Sequence, residues 1–445
     1  MNRKATRNRI PLRWTATLTF TVLVLFALLW VSPVQAAGRT TSKDIMIQTF
    51  GWNSMKGGIP GKWFTLITEH AAELGKMGFT LAWLPPVCRS VSPQGYMPGD
   101  YYDLGSPGKP TFYGTQEDLA AALKALRAAG VVSLADMVLN HRCAGKQDGN
   151  GVWNQFDFPS NHAKWDQSAI VRGEYSGSGG ADSGDNFEPA PDLDHSNSKV
   201  QTDIVAYMNW LKKLGFSGWR YDFARGYDAK FLAKYDKETG SAFSVAENFT
   251  DMSFNGSSLN WDQNAHRQKL CDYLDKAGDT CTAFDVTTKG ILQVAVQGEY
   301  GRLQDKDGKA TGLIGWWPER AVTFLDNHDT GSQQNIWPFP KDKVMQGYAY
   351  ILTHPGVPCV FWEHVYDWNL KSQIQKLMDI RRDYGITSGS KLKIEKAEQG
   401  LYAAVIDGKV AVKLGWVNWA PSDAAFKTVA SGDQWAIWAQ GTRKK

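Results

Sequence analysis

Short runs of apolar or β-branched residues recur along the chain and alternate with stretches in which apolar positions follow a helical spacing. We predict strands at eight of these runs: Asp44–Phe50, Thr80–Pro85, Val131–Met137, Gly218–Asp222, Ser244–Glu247, Thr282–Val286, Ala321–Asp326 and Val357–Trp362. The predicted helices between them include Gln116–Ala129, Lys199–Leu214, Gln263–Ala277 and Lys341–Thr353. Strands that alternate with helices form a parallel sheet, and eight strands are the number that closes a barrel. The pattern therefore predicts an α/β chain with a (β/α)8 TIM barrel. A doubly wound open sheet is the alternative, but no glycine-rich phosphate-binding motif follows the first strand.

Two regions depart from this alternation. The connection after the third strand is long and rich in Gly, Asp, Asn and Ser, as in "SGSGGADSGDNFEPAPDLDH" at Ser176–His195. Such a loop is uncommon unless it is functional or held by something, and its acidic residues suggest what holds it. After Ser388 polar and apolar residues alternate on both sides of an Asp407-Gly408 turn, which predicts an antiparallel β-domain. The predicted segments are a barrel at 37–141 and 196–388, a loop domain B at 142–195 and a β-domain C at 389–445.

The first 36 residues have the pattern of an export signal. Five basic residues precede a mostly apolar run, Thr15–Val31, and small residues follow it, with cleavage predicted after Ala36. The run is slightly short for a membrane-spanning helix, so a retained anchor is the less favoured alternative. We predict a secreted protein without stable membrane association after cleavage of the signal.

Removal of this leader changes the interpretation of the charge. The whole chain has a formal net charge of +4, but the leader holds 5 of its 49 basic residues and no acidic one. The remaining 44 basic residues face 45 acidic residues. This balance gives no support for a nucleic-acid partner and favours a neutral one. Among the five cysteines, Cys271 and Cys281 could close a small loop after export, or all five could be reduced thiols.

Polar residues stand at the ends of four predicted strands, where an apolar core would not place them. In "GWRYDFARGY", alternation puts Arg220 and Asp222 on the same face of a strand. The pair is either a surface ion pair or a carboxylate held ionised at the mouth of an active site. Because the carboxyl ends of barrel strands face the catalytic mouth, the full set favours the second interpretation. The set comprises Asp136, Asn140 and His141 after the third strand, Arg220 and Asp222 at the fourth, Glu247 at the fifth, and Asn327, His328 and Asp329 at the seventh.

These motifs resemble those of the α-amylase family of glycoside hydrolases, and most closely those of the plant-type and related bacterial enzymes. The segments "QGYMPGDYYDL", "WDQNAHRQ", "TTKGIL", "GWWPERAVTFLDNHDTGS" and "DKVMQGYAYILTHPG" extend the resemblance over nearly all of the mature chain. The resemblance implies a calcium-stabilised barrel with a protruding domain B and a C-terminal β-domain. We expect a monomer that acts on starch or a related α-glucan.

The resemblance also implies roles for individual residues. Asp222 would be the nucleophile of a retaining reaction, Glu247 the general acid and then the base, and Asp329 a stabiliser of the transition state. Arg220 would favour the charged form of Asp222. The remaining substrate contacts implied are His141 and His328 as hydrogen-bond partners of the sugar, Tyr96 as a stacking platform, and Asn327 and Arg225.

A calcium site and a surface site complete the expectations. Calcium prefers several oxygen ligands, and the resemblance assigns it Asn140, Asp182 and Asp192 with the carbonyls of Asp185 and Gly226. Neighbouring indoles cannot both be buried on one face, so at least one of Trp316 and Trp317 is expected to be exposed, as in relatives that bind starch there. Plant-type enzymes usually have a tryptophan shortly after the acid, where this chain has Asn248-Phe249.

Three functions remain possible within these expectations. The first is a secreted endo-acting α-amylase that cleaves internal α-1,4 bonds. The second is an exo-acting maltooligosaccharide-forming enzyme or a transglycosylase, because loops decide between these activities on one fold. The third is a non-catalytic glucan-binding protein, which the presence of Asp222, Glu247 and Asp329 disfavours.

Overall fold

Eight short, buried strands form a closed parallel barrel in the computed structural model, which describes residues 42–56 and 61–441. They are β1 (Met46–Gln48), β2 (Leu81–Trp83), β3 (Val132–Met137), β4 (Gly218–Tyr221), β5 (Phe243–Ala246), β6 (Thr282–Phe284), β7 (Ala321–Thr323) and β8 (Val357–Phe361). The predicted barrel is confirmed. Each strand pairs with its neighbours in sequence, and β1 closes the barrel by pairing with both β2 and β8. Next to this closure, the Ser42 backbone N–H donates to Ser388 Oγ.

Helices cover the barrel because their apolar positions form one stripe. In α2 the buried residues Leu119, Ala122, Leu123 and Leu126 follow the i, i+3, i+4, i+7 spacing. Thr115 and Asp118 form a capping box that starts this helix. The helices are α1 (Trp63–Met77), α2 (Gln116–Ala128), α3 (Ser198–Leu214), α4 (Ala229–Thr239), α5 (Asn264–Lys276), α6 (Val286–Ala295), α7 (Val344–Thr353), α8 (Trp362–Tyr366) and α9 (Lys371–Asp383).

The connection after β3 is an irregular lobe with its own buried centre. The guanidinium of Arg142 is fully buried there and donates to the carbonyls of Gly99 and Ala163, both at 2.7 Å. Its Cζ also lies 4.5 Å from the ring centroid of Tyr101 and 4.8 Å from that of Trp165. A buried cation that is hydrogen-bonded and packed between aromatic rings gives a loop this long a defined core. Its short ladders are Lys146–Gln147 with Trp153–Gln155 and the bridge His141–Asp192.

The C-terminal region is a five-stranded antiparallel sheet, as the alternating pattern predicts. Its strands are β9 (Leu392–Glu398), β10 (Leu401–Ile406), β11 (Val410–Leu414), β12 (Lys427–Gly432) and β13 (Trp435–Ala439), in the order β9-β10-β11-β13-β12. Asp407 and Gly408 join β10 to β11 with φ of 51° and 66°, the two positive values that a tight hairpin turn requires.

Two expectations from the sequence concern a disulfide and an export signal. No disulfide joins Cys271 to Cys281 within the described residues. The export signal predicted at residues 1–36 lies outside the described residues. Among the described residues, none of the helices has the length and hydrophobicity needed to cross a bilayer.

Candidate active site

The register of β3, β4 and β5 brings the predicted strand-end residues together. Met137 pairs with Tyr221, and Tyr221 pairs with Ala246, so the three strands end at one level. The next residues emerge side by side. The Asp222 backbone N–H donates to the Met137 carbonyl at 3.1 Å, and the Glu247 N–H donates to the Tyr221 carbonyl at 3.0 Å. Parallel pairing thus places both carboxylates at the mouth of the barrel.

Arg220 is the centre of a buried cluster of carboxylates. Its side chain is 0% exposed, and its Nη1 donates to Asp136 Oδ1 at 2.8 Å and to Asp222 Oδ1 at 2.6 Å. Its Nη2 lies 2.7 Å from Glu247 Oε1 in an ion pair. One guanidinium therefore contacts both Asp222 and Glu247. Two carboxylates that share one guanidinium lie close together, and retaining glycosidases place their two carboxyl groups about 5–5.5 Å apart.

Asp136 and two aromatic rings fix this guanidinium. Asp136 Oδ2 accepts hydrogen bonds from Trp83 Nε1 at 2.9 Å and from the Tyr96 hydroxyl at 2.8 Å. The Arg220 Cζ lies 4.7 Å from the ring centroid of Trp83. Burial raises the pKa of Asp136, and Arg220 opposes that effect. Asp136 thus anchors the cation through a network in which each of its oxygens is hydrogen-bonded.

Two opposing effects act on the pKa of Asp222. Arg220 does lower the pKa of Asp222, as the sequence predicts, but burial is the larger effect. Burial raises that pKa well above its usual range, and the charges of Glu247, Asp136 and Asp329 raise it further. Three carboxylates surround one guanidinium, so repulsion from the neighbouring carboxylates adds to the effect of burial on this pKa.

A strained residue connects Asp222 to Glu247. Phe223 adopts a left-handed conformation with φ 40° and ψ 45°, which costs about 1–3 kcal/mol for a non-glycine residue. In this conformation its backbone N–H donates to Glu247 Oε2 at 3.1 Å. The Ala224 N–H donates to the Glu247 carbonyl at 3.0 Å. The turn after Asp222 therefore holds the second carboxylate in position.

Asp329 lies beside His328 in the loop that follows β7. Its Oδ1 accepts from Gln334 Nε2 at 2.8 Å, and its Oδ2 lies 3.3 Å from His328 Nε2. Asn327 Oδ1 accepts from the backbone N–H of Asp329 at 3.0 Å, so Asn327 shapes the turn. Burial raises the pKa of Asp329, while Arg220 and Gln334 lower it.

Both predicted histidines lie at the mouth and are buried. Burial lowers the pKa of His141 to about 4 and that of His328 to about 3, so both are neutral at physiological pH. His141 stacks on Phe187 with ring centroids 3.8 Å apart, and its Nε2 donates to the Tyr96 carbonyl at 2.9 Å. His328 stacks on Tyr96 at 4.8 Å. Tyr96 therefore packs against His328 and hydrogen-bonds Asp136, which positions it beside the carboxylates.

Two cavities adjoin the carboxylates, and both are lined by Phe223, Glu247 and Asp329. The first, of about 380 Å³, is also lined by Trp52, Tyr96, His141, Asp222 and His328. The second, of about 440 Å³, is also lined by Arg225, Phe249, Met252, Phe254, Ile336 and Trp337. We call them the first cavity and the second cavity. The cleft thus has apolar surfaces on two sides of the carboxylates, and Phe249 lies in the wall of the second cavity.

A second acidic cluster forms in the lobe after β3. Oxygens of Glu174, Asp182 and Asp192 all lie within 4.8 Å of one another. Burial raises the pKa of Asp192 to about 7, and repulsion from Glu174 and Asp182 adds to this rise. Asn140 joins the cluster through its Nδ2, which donates to Asp192 Oδ1 at 2.8 Å.

Whether these residues fit calcium can be judged from a buried oxygen without a partner and from the backbone that packs closely around it. Asn140 Oδ1 is buried and accepts no hydrogen bond from the described residues. A Cβ on Gly226 would lie 2.1 Å from that oxygen, and one on Gly184 would lie 2.5 Å from the Arg225 carbonyl. The Asp185 N–H donates to the same carbonyl at 3.0 Å. A hard cation prefers such carboxylate, amide and carbonyl oxygens, so the residues fit calcium.

Of the remaining predicted residues, Arg225 lines a cavity beside the carboxylates, whereas Trp316 and Trp317 line neither cavity. Arg225 lines the second cavity, and its Nε lies 3.6 Å from Asp185 Oδ2. Trp316 is 38% exposed and lies over the guanidinium of Arg267 at 3.9 Å, whereas Trp317 packs partly against the core. The expectation of at least one exposed indole agrees with this arrangement.

Sequence reasoning missed several residues of the site. Trp52 and Phe187 line the first cavity, and Trp337 lines the second. Glu174 completes the acidic cluster, and the calcium ligands expected from the sequence did not include it. The signal for Glu174 was its position in the same glycine-rich loop, and the signal for Trp337 was its place after the "DNHD" motif.

Family comparisons agree with this architecture. The family described as "Alpha amylase, catalytic domain" matches residues 52–167, and "Alpha-amylase C-terminal beta-sheet domain" matches residues 383–439. The "Probable alpha-amylase 2" of Arabidopsis thaliana is 43% identical over 399 residues, which cover 89% of this chain and 94% of that protein.

Two more distant proteins extend the comparison. The "Glucan 1,4-alpha-maltotetraohydrolase" of Stutzerimonas stutzeri is 30% identical, over 90% of this chain and 74% of its own length. The crystal structure of an α-amylase from H. orenii superposes with a TM-score of 0.61 at 15% identity, covering 91% of this chain and 98% of that one. The second likeness establishes the fold alone.

Proposed function

The chain belongs to the α-amylase family of glycoside hydrolases, and from this premise we propose that it hydrolyses internal α-1,4-glucosidic bonds of starch with retention of configuration. The observation that carries the proposal is the pair of carboxylates, Asp222 and Glu247, on the single guanidinium of Arg220. The family membership supports the reaction class. The close carboxylates support the retaining course.

The reaction proceeds in two displacements at the anomeric carbon. Asp222 attacks that carbon while Glu247 donates its proton to the leaving glycosidic oxygen. Glu247 then removes a proton from water, which attacks the glycosyl-enzyme ester and regenerates Asp222. Asp329 stabilises positive charge on the sugar in both transition states through hydrogen bonds to its hydroxyls. The sugar is oriented by His141, His328, Tyr96 and Asn327. Arg225 contacts the glucan in the second cavity.

Endo action rests on the two cavities. An endo-acting enzyme must hold glucan on both sides of the scissile bond, and both cavities border Glu247. Trp316 and Trp317 are proposed as a separate surface for starch granules, with the exposed Trp316 making most of the contact. We also propose a secreted monomer with an export signal at residues 1–36, domain B at 142–195 and domain C at 389–445.

Calcium is proposed as the resident ion of the lobe. Asn140, Asp182 and Asp192, with the carbonyls of Asp185 and Gly226, would hold it, and Glu174 is added to this set. When bound, the ion neutralises the acidic cluster and fixes the backbone near Asp222. The residues of the chain carry out the reaction themselves. Arg225 and Gly226 follow the nucleophile Asp222 in the same turn, so a fixed conformation of this turn fixes the position of Asp222.

Products of end-blocked and unblocked maltoheptaose test the proposal. We expect cleavage of both substrates, with α-anomeric products at early times by NMR. Cleavage of only the unblocked substrate would favour the exo-acting alternative. Products longer than maltoheptaose, formed when maltoheptaose is the sole substrate, would favour transglycosylation. If the protein released no reducing sugar from soluble starch, a non-catalytic glucan-binding protein would be the function that remains. Early β-anomers would contradict the retaining course.

A further inference from the structure

A buried ion pair lies behind the loop that carries Asp329. Lys289 projects from α6 and is 0% exposed, and its Nζ lies 3.6 Å from Asp326 Oδ1. Asp326 directly precedes Asn327 and is also buried. A buried lysine requires a partner, because an isolated charge in an apolar interior is costly. The pair belongs to neither the catalytic cluster nor the acidic lobe.

Asp326 holds both ends of one loop. We call residues 327–339 the β7 loop; it leaves the barrel after Asp326 and returns at Phe339. Asp326 Oδ1 accepts from the Phe339 backbone N–H at 3.0 Å and from Thr330 Oγ1 at 3.3 Å. One carboxylate thus ties the start of the loop to its end. The start carries Asp329, and the end carries Trp337.

Lys289 holds the end of the same loop by two contacts with Trp337. Its Nζ donates to the Trp337 carbonyl at 2.8 Å and to Gln293 Oε1. The same atom lies 4.5 Å from the centroid of the Trp337 ring. A Cβ on Gly290, the next residue of α6, would lie 2.7 Å from that ring. The helix surface is therefore shaped to receive the indole that lines the second cavity.

We propose that Lys289 and Asp326 are positioning residues that couple the carboxylate Asp329 to Trp337, the indole that lines the second cavity. The inference rests on the proposed role of Asp329. The pair contacts no substrate and acts through the β7 loop. It makes catalysis by Asp329 and glucan binding in the second cavity depend on one buried contact, because a shift of either loop end moves both groups.

Lys289→Met tests the pair, because methionine preserves an unbranched side chain and removes the cation. We expect kcat to fall and KM for end-blocked maltoheptaose to rise, with kcat/KM reduced roughly 10- to 100-fold, as a displacement of about 1 Å produces. Arg381→Met is the matched control. Arg381 is also a buried cation, but it binds the carbonyls of Leu352, His354 and Gly356 behind α7. The Arg381→Met substitution should lower Tm and leave both kcat and KM unchanged.

The outcomes separate positioning from mere stability. A Lys289→Met enzyme with native kcat and KM, measured well below its Tm, would overturn the proposal. If that variant does not fold, Asp326→Asn replaces it, since asparagine retains an acceptor for the Phe339 N–H and loses the charge. The same fall in kcat/KM is expected, and native kinetics would again overturn the pairing. Asp329→Asn is assayed in parallel: if it retains full turnover, the proposed function fails, whatever the result at Lys289.

Discussion

Two acidic clusters among the described residues differ in the source of their counter-charge. At the barrel mouth, Asp222 and Glu247 share the guanidinium of Arg220, which the fold itself supplies. In the lobe, the charged groups that shift the pKa of Asp192 are Glu174 and Asp182, both of them further carboxylates. The charge of the first cluster is neutralised in part by a cationic side chain of the protein itself. The second is formed by three carboxylates, and the proposed calcium ion would supply its counter-charge from solution.

The largest expected effect comes from the carboxylates at the mouth. Asp222→Ala and Glu247→Gln should each lower kcat on starch by about 10⁴-fold or more, because nucleophile and acid act as a unit. Tm should change little, since each substitution removes negative charge from a crowded cluster. Reducing-sugar release and calorimetry measure the two quantities. Asp157→Asn is the control, an exposed carboxylate of the lobe paired with Lys146 and Lys164. Activity of either variant within tenfold of native would refute the assignment.

The second effect tests the internal counter-charge. Arg220→Met should lower the free energy of unfolding by about 3–5 kcal/mol, because it leaves buried carboxylates without their cation. Urea denaturation at neutral pH measures the loss. Part of it should be recovered in the double variant Arg220→Met with Asp136→Asn, which removes one of the stranded charges. An unchanged unfolding free energy would show that the cluster is neutral without Arg220.

The third effect tests the external counter-charge. Chelation of calcium should lower the free energy of unfolding by about 3–4 kcal/mol, if the ion is present at 100 to 1,000 times its Kd. Activity should fall with it, since Gly226 lies near Asn140 and follows the nucleophile in sequence. Asp192→Ala should have a low Tm that chelator does not lower further. A chelated native enzyme, shown metal-free by elemental analysis, with unchanged Tm and activity would contradict the calcium site.

The smallest effect lies outside both clusters. Trp316→Ala should weaken adsorption to granular starch roughly threefold to tenfold, as expected for the loss of one stacking surface. Hydrolysis of maltoheptaose should be unaffected, because Trp316 lines neither cavity. Trp416→Ala is the matched control, an exposed indole after β11. Equal losses on granules and on maltoheptaose would place Trp316 in the cleft.

The barrel mouth could be predicted from sequence because its geometry is regular. Each predicted strand overlaps an observed one, since a short apolar run bounded by polar residues has little freedom in where it begins and ends. Once eight parallel strands close, residues such as Asp222 and Glu247 must meet at one end. The fold therefore converts positions in sequence into neighbours in space.

The lobe and the electrostatics were harder to predict. Glu174 joins Asp192 because the irregular loop turns back on itself, with the Arg172 N–H donating to the Gly180 carbonyl at 2.8 Å. A loop without periodicity gives no indication of which acidic residues will meet. Proximity of Arg220 to Asp222 was visible in sequence, but the burial that outweighs it was not, because burial depends on the residues of many strands.

The closure of the barrel through β1 has a consequence for biosynthesis. β1 pairs with both β2 and β8, and the adjoining residues Ser42 and Ser388 are 346 residues apart in the chain. At about 5–20 residues per second, a ribosome needs roughly 20–70 s to make that stretch. During this time one edge of β1 has no partner, and an open strand edge invites pairing with other chains. The nascent chain thus passes through a period in which chaperone capture competes with aggregation.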